Sequence, residues 1–219
     1  MKFTLTTAAL VGLAAAAPAE LAERQVGGRI GTTANELRGA CQPVTFIFAR
    51  GSTEAGNMGS IIGPPVANGL KARFRVAVQG VDYRAGLDTN ALPDGADPAG
   101  IRDMKNKISE AASKCPNTKI VVGGYSQGAA TTHQAVEELP AATRNRIVGA
   151  VTFGDTRNVQ DRGRIPNYPP AQTKIFCNAG DLVCSGTLVV GAAHLTYGTD
   201  ANAAVSFLAQ QIERAGGAQ

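Results

Sequence analysis

Five short runs rich in Val, Ile and Phe recur along the chain: VTFIFAR (44–50), RVAVQGV (75–81), KIVVGGY (119–125), IVGAVTF (147–153) and TKIFCNA (173–179). A strand with one wet face alternates apolar and polar residues, whereas near-continuous apolar runs mark strands covered on both faces, as in a parallel sheet. Parallel neighbours require crossovers, and segments of helical period near 57–73, 98–114, 127–138 and 201–214 fall between and after the runs. Pro64 and Pro65 make the first part of the first helical segment irregular. The pattern predicts an α/β sandwich with right-handed crossovers around a central five-stranded parallel sheet.

The 219 residues, 44% of them hydrophobic, suffice for one domain with a real core, expected over 25–219. The opening MKFTLTTAALVGLAAAAPA has one lysine, a short apolar stretch and small residues. It reads as a signal peptide over 1–17, with a candidate propeptide over 18–24, so the mature protein is expected outside the cell. No later stretch is apolar for long enough to cross a bilayer. The formal charge of +4 comes from dispersed Lys and Arg without a basic run or aromatic platform, which argues against nucleic acid as a partner. Four cysteines in a secreted chain read as two disulfides, with three pairings open. Cys41–Cys115 with Cys177–Cys184 is favoured, because the latter two close a short turn-like NAGDLV loop.

Chemistry in such a sheet gathers beyond the carboxyl ends of the strands. There the third run becomes a helix through Gly124-x-Ser126-x-Gly128, the setting of a nucleophile elbow that projects Oγ out of the sheet. A serine hydroxyl needs a base. Of the two histidines, His133 lies two turns along the helix that follows Ser126, beyond reach, and is expected on the surface. His194, in a loop before the last helix, is the better base. The acid that orients it is sought between them in the chain. Glu137, Glu138 and Asp161 are expected to be solvated, while Asp155 and Asp181 both follow strands. Asp181 is preferred for its place in the NAGDLV loop, with Asp155 as the alternative. Donors for an oxyanion are expected from the backbone N–H of Gln127 and from Ser52 in RGSTE after the first run.

FIFARGSTE, GGYSQGA, RGRIPNYP and CNAGDLVC followed by HLTYG together resemble the fungal cutinases, from about Cys41 to Phe207. The resemblance implies an α/β-hydrolase-type three-layer sandwich without a large lid, and the same cysteine pairing. It implies Ser126, Asp181 and His194 as triad, Ser52 and Gln127 as oxyanion hole, and Asn90 as the residue that orients Ser52. Leu87 on one side and Leu188, Val190 and Leu195 on the other would flank a shallow apolar cleft. The expected activity is that of a secreted, monomeric serine esterase acting on cutin and short-chain acyl esters, without metal or cofactor. An acetylxylan esterase-like polysaccharide deacetylase is one alternative. The other is a catalytically silent secreted binding or elicitor protein.

Overall fold

A computed structural model describes residues 28–217; the expected signal peptide and propeptide lie outside them. Five strands form one parallel sheet, β1 (Val44–Ala49), β2 (Val76–Gly80), β3 (Lys119–Tyr125), β4 (Ile147–Phe153) and β5 (Thr173–Phe176), in the order β2-β1-β3-β4-β5. The helices are α1 (Gly63–Lys71), α2 (Pro98–Lys114), α3 (Gln127–Glu138), the single turn α4 (Ala141–Arg144) and α5 (Ala201–Arg214).

Successive strand residues point to opposite faces, and both faces are apolar. Phe46, Phe48, Val121, Val151 and Phe153 pack with Val66 and Leu70 of α1 and Val205, Leu208 and Ile212 of α5. On the other face Ile47, Ala49, Ile120, Val122 and Ala150 pack with Ile101, Met104 and Ile108 of α2 and Ala130, Ala135 and Val136 of α3. Three layers follow from this two-sided burial. Asp97 caps α2 by accepting from Ala99 N at 2.9 Å, and Pro98 fills the first helical position, where an N–H has no partner in any case.

The first helix begins later than the periodicity predicts, at Gly63 rather than near residue 57. Pro64 and Pro65 are tolerated only in a first turn. The residues before it belong to a loop held by the Glu54 carboxylate, which accepts from Gly51, Ser60 and Ile61 N at 2.7–3.0 Å. At one edge, β2 is shielded by the N-terminal segment, with Gly80 N donating to Ala34 O at 2.9 Å and Val78 N to Glu36 at 2.9 Å. At the other edge β5 is shorter than its apolar run, and only Phe176 of its four residues is buried. The cysteines pair as favoured, Cys41 with Cys115 and Cys177 with Cys184.

One expectation fails in the middle of the fold. His133 is fully buried rather than on the surface. Residues 127 to 136 of α3 are all buried, since α3 lies between the sheet and its neighbours and has almost no water face. Asp155, also fully buried, holds His133 Nδ1 at 2.9 Å, and Asp161, half-buried rather than solvated, lies 3.1 Å from His133 Nε2 and 3.1 Å from Arg157 Nε.

Candidate active site

Ser126 stands where β3 ends and α3 begins, with φ 55° and ψ −121°. This is a region that costs an L-residue about 1–3 kcal/mol. The conformation is held by Ser126 N donating to Phe153 O at 2.8 Å and by Ala129 N donating to Ser126 O at 2.8 Å. Strand, turn and helix approach so closely that a Cβ on Gly124 would sit 2.0 Å from Gly128 O, and one on Gly128 2.0 Å from Ala49 O. The spacing of the two glycines around the serine is therefore a steric requirement of the turn.

His194 arrives from the loop after β5. Its Nε2 lies 2.9 Å from Ser126 Oγ and its Nδ1 2.9 Å from Asp181 Oδ2. Asp181 and His194 are buried, whereas Ser126 is half-buried. Asp181 Oδ1 accepts from Val183 N at 3.0 Å, and Oδ2 also accepts from the Tyr197 hydroxyl at 2.6 Å. The imidazole is wedged between two aromatic rings: Tyr125 stacks on it with centroids 5.1 Å apart, and Tyr197 meets it edge-on at 6.0 Å. Tyr125 also donates its hydroxyl to His194 O at 2.8 Å. Burial, reinforced by the bond to Asp181, pushes the Tyr197 phenol well above its ordinary value, so it acts as a donor. Gly154 (φ 60°) lies against the ring, and a Cβ there would come within 2.5 Å of His194 Cε1.

Ser52, from the loop after β1, opens on the same cleft. Its Oγ lies 3.0 Å from Asn90 Nδ2, from which it accepts, and 3.2 Å from Asn90 Oδ1, to which it can donate, and Gln127 Nε2 lies 3.1 Å from it. The same Gln127 amide faces Gly86 O at 2.7 Å and Asn90 Oδ1 at 2.6 Å, locking the segments around residues 52, 86–90 and 127 together. A cleft of about 320 Å³ is lined by Ser52, Leu87, Asn90, Ser126, Val190 and Leu195, among others. Leu87, Val190 and Leu195 are 66, 58 and 58% exposed, which makes the rim apolar and open to solvent.

The triad residues expected from the sequence thus meet, as do Ser52, Asn90 and Gln127. Leu188 does not join them: it lines a neighbouring depression with Leu92, Pro93 and Gln160. Asp155, the alternative acid, is engaged by His133 and not by His194. Sequence reasoning missed Tyr125, Gly154 and Tyr197. Tyr125 and Gly154 each directly follow or end a strand at the carboxyl edge of the sheet, and Tyr197 lies three residues after His194, so their positions were visible but not their contacts.

The family model for cutinases matches residues 40–212. The chain belongs to the cutinase family. It is 53% identical to the probable cutinase 1 of Aspergillus niger over 97% of this chain and 85% of that one. It is 48% identical to cutinase 3 of Emericella nidulans over 97% and 99% of the two chains. Among solved structures it is similar to Trichoderma reesei cutinase in complex with a C11Y4 phosphonate inhibitor, with a TM-score of 0.75 and 35% identity over 84% and 81% of the chains. The protein is accordingly a carboxylic ester hydrolase, and no helix among its described residues is long and apolar enough to cross a membrane.

Proposed function

We propose that this cutinase-family enzyme is a secreted serine esterase that cleaves the ester bonds of cutin and of short-chain acyl esters, acting as a monomer. The observation that carries the reading is the unbroken chain Asp181–His194–Ser126, with both links at 2.9 Å, opening on an apolar cleft. Ser126 Oγ attacks the ester carbonyl while His194 Nε2 takes its proton, and Asp181 holds Nδ1–H and stabilises the imidazolium. The negative oxygen that forms is met by the backbone N–H of Gln127 and by Ser52. The Asn90 and Gln127 amide nitrogens donate to Ser52 Oγ, and Asn90 Oδ1 lies 3.2 Å from it as an acceptor, so the serine proton reaches the developing oxyanion by turning away from Asn90 Oδ1.

Collapse of the tetrahedral adduct breaks the bond to the alcohol, which leaves with the proton from His194. Water, deprotonated by His194, then adds to the acyl-enzyme, and collapse releases the acid and restores the Ser126 hydroxyl. The rim of Leu87, Val190 and Leu195 suits an aliphatic acyl chain or polymer surface better than a hydrated polysaccharide. Ser126→Ala is expected to abolish turnover of p-nitrophenyl butyrate and labelling by an alkyl phosphonate while the fold is retained. Wild-type enzyme is expected to prefer cutin and emulsified tributyrin to acetylxylan. Retained turnover in the variant, or the reverse preference, would refute the respective part.

A further inference from the structure

His133 and Asp155 repeat the local design of His194 and Asp181. In each pair the aspartate follows a strand, accepts through Oδ1 from the backbone N–H two residues on (Arg157 N at 2.9 Å, Val183 N at 3.0 Å), and holds histidine Nδ1 through Oδ2 at 2.9 Å. In the triad the second ring nitrogen meets Ser126. In the other pair, His133 Nε2 is buried and has no hydrogen-bond partner among the described residues.

What Nε2 faces instead is oxygen. Asp161 Oδ2 approaches to 3.1 Å, outside the geometry of an N–H donor, and Glu137, one turn after His133 on α3, brings its carboxylate to the same place. The three ligand atoms lie within 4.8 Å of one another. Glu137 Oε2 is likewise buried without a partner among the described residues. If Nδ1–H is donated to Asp155, Nε2 presents a lone pair to an oxygen lone pair, an arrangement that a cation relieves. Two ligand atoms 3.1 Å apart can share a divalent ion about 2.1 Å from each.

We propose that His133, Glu137 and Asp161 bind a divalent transition-metal ion of the zinc class, with Asp155 fixing the imidazole tautomer. One nitrogen and two carboxylate ligands suit zinc and leave room for water as a fourth ligand, whereas calcium and magnesium prefer all-oxygen shells. Asp155 beneath the histidine is the carboxylate–histidine–metal arrangement that raises ligand basicity. Asp161 also accepts from Arg157 Nε at 3.1 Å, so the guanidinium remains beside the ion and offsets part of the carboxylate charge. Asp161 and Glu137 are only half-buried, which gives the ion a way in. The site is two turns of α3 from Ser126, about 10 Å along the axis, and takes no part in ester cleavage.

The test is ZnCl2 titration of chelator-treated full-length protein, followed by calorimetry, melting temperature and elemental analysis after dialysis. Expected are one zinc per chain, a raised melting temperature, and no comparable effect of CaCl2 or MgCl2. Asp161→Asn and Glu137→Gln, at the accessible edge of the cluster, should weaken binding at least about tenfold, and Asp155→Asn about 10–100-fold. The two edge variants should turn over p-nitrophenyl butyrate as wild type does, which also confirms that they fold. Absence of saturable zinc uptake by wild type, equal uptake by the two edge variants, or calcium binding as tight as zinc would each overturn the proposal. So would a nitrogen NMR spectrum of zinc-treated protein in which His133 carries protons on both ring nitrogens, since the close approach would then be an internal ion pair.

Discussion

Tyr197 donates its hydroxyl to Asp181 Oδ2 across 2.6 Å, and that oxygen is the one that faces His194. The phenol also accepts from Asn178 N at 3.1 Å, so it ties the loop carrying Asp181 to the segment carrying His194. Tyr197→Phe should leave a buried carboxylate short of one donor and a backbone N–H unpaired. The expected loss is about 1.5–3 kcal/mol in urea unfolding, with kcat lowered and KM for p-nitrophenyl butyrate little changed.

Gly154→Ala should be far more harmful than Gly191→Ala, although both glycines lie beside His194. At Gly154 the new methyl meets His194 Cε1 at 2.5 Å on a backbone of positive φ, whereas at Gly191, with φ −102°, nothing lies within 4 Å. A displaced imidazole costs about a hundredfold in kcat/KM. Steady-state kinetics of the two variants check this directly.

If Ser52 meets the oxyanion as proposed, Ser52→Ala removes one donor and should lower kcat about 10²–10³-fold. Gln127→Ala keeps its backbone N–H and removes only the amide that braces Ser52, Gly86 and Asn90. A loss of about tenfold, equivalent to about 1.4 kcal/mol, is expected, again in kcat rather than KM.

The two disulfides should separate stability from activity. Cys41–Cys115 closes a loop of 74 residues far from the cleft, and its removal should cost about 4 kcal/mol with kcat retained in the folded fraction. Cys177–Cys184 spans seven positions and encloses Asp181, so the double serine variant should lose about 2–3 kcal/mol and, in addition, most of its turnover. Denaturant melts paired with active-site titration by a phosphonate distinguish the two effects.

All four tyrosines, Tyr83, Tyr125, Tyr168 and Tyr197, have phenols pushed above their ordinary value of 10.0, chiefly by burial. A raised native value means that the folded state holds these protons more tightly than the unfolded chain. Stability from this source is therefore complete below pH 10 and declines as the pH climbs above it. Tyrosinate absorbance should stay absent through pH 10 and then appear in one step with the loss of circular dichroism. A gradual titration of the native protein near 10 would contradict this.

Much of the fold was legible because burial on both faces writes itself into composition. β3 and β4 coincide with their apolar runs, KIVVGGY and IVGAVTF. β5 ends early because Cys177 turns away into the disulfide loop, a constraint that apolar periodicity does not carry. The meeting of Ser126, His194 and Asp181 was legible because the elbow spacing is steric and the chain has only two histidines. The burial of His133 was not legible, since a helix enclosed on nearly all sides has no polar stripe to betray which face a residue occupies. The exclusion of Leu188 from the cleft depends on how the 186–191 loop runs, and exposed apolar residues on one loop look alike in sequence.

The short outer strand β5 has a consequence for how the enzyme fails. Ser126 is rooted at the end of β3, in the middle of the sheet, whereas Asp181 and His194 hang from loops beyond a peripheral ribbon with a single covered side chain. Regions of that kind open at lower free energy than the interior. Warming should therefore uncouple Asp181 and His194 from the Ser126 hydroxyl while the body of the molecule is still intact, and inactivation should run ahead of melting.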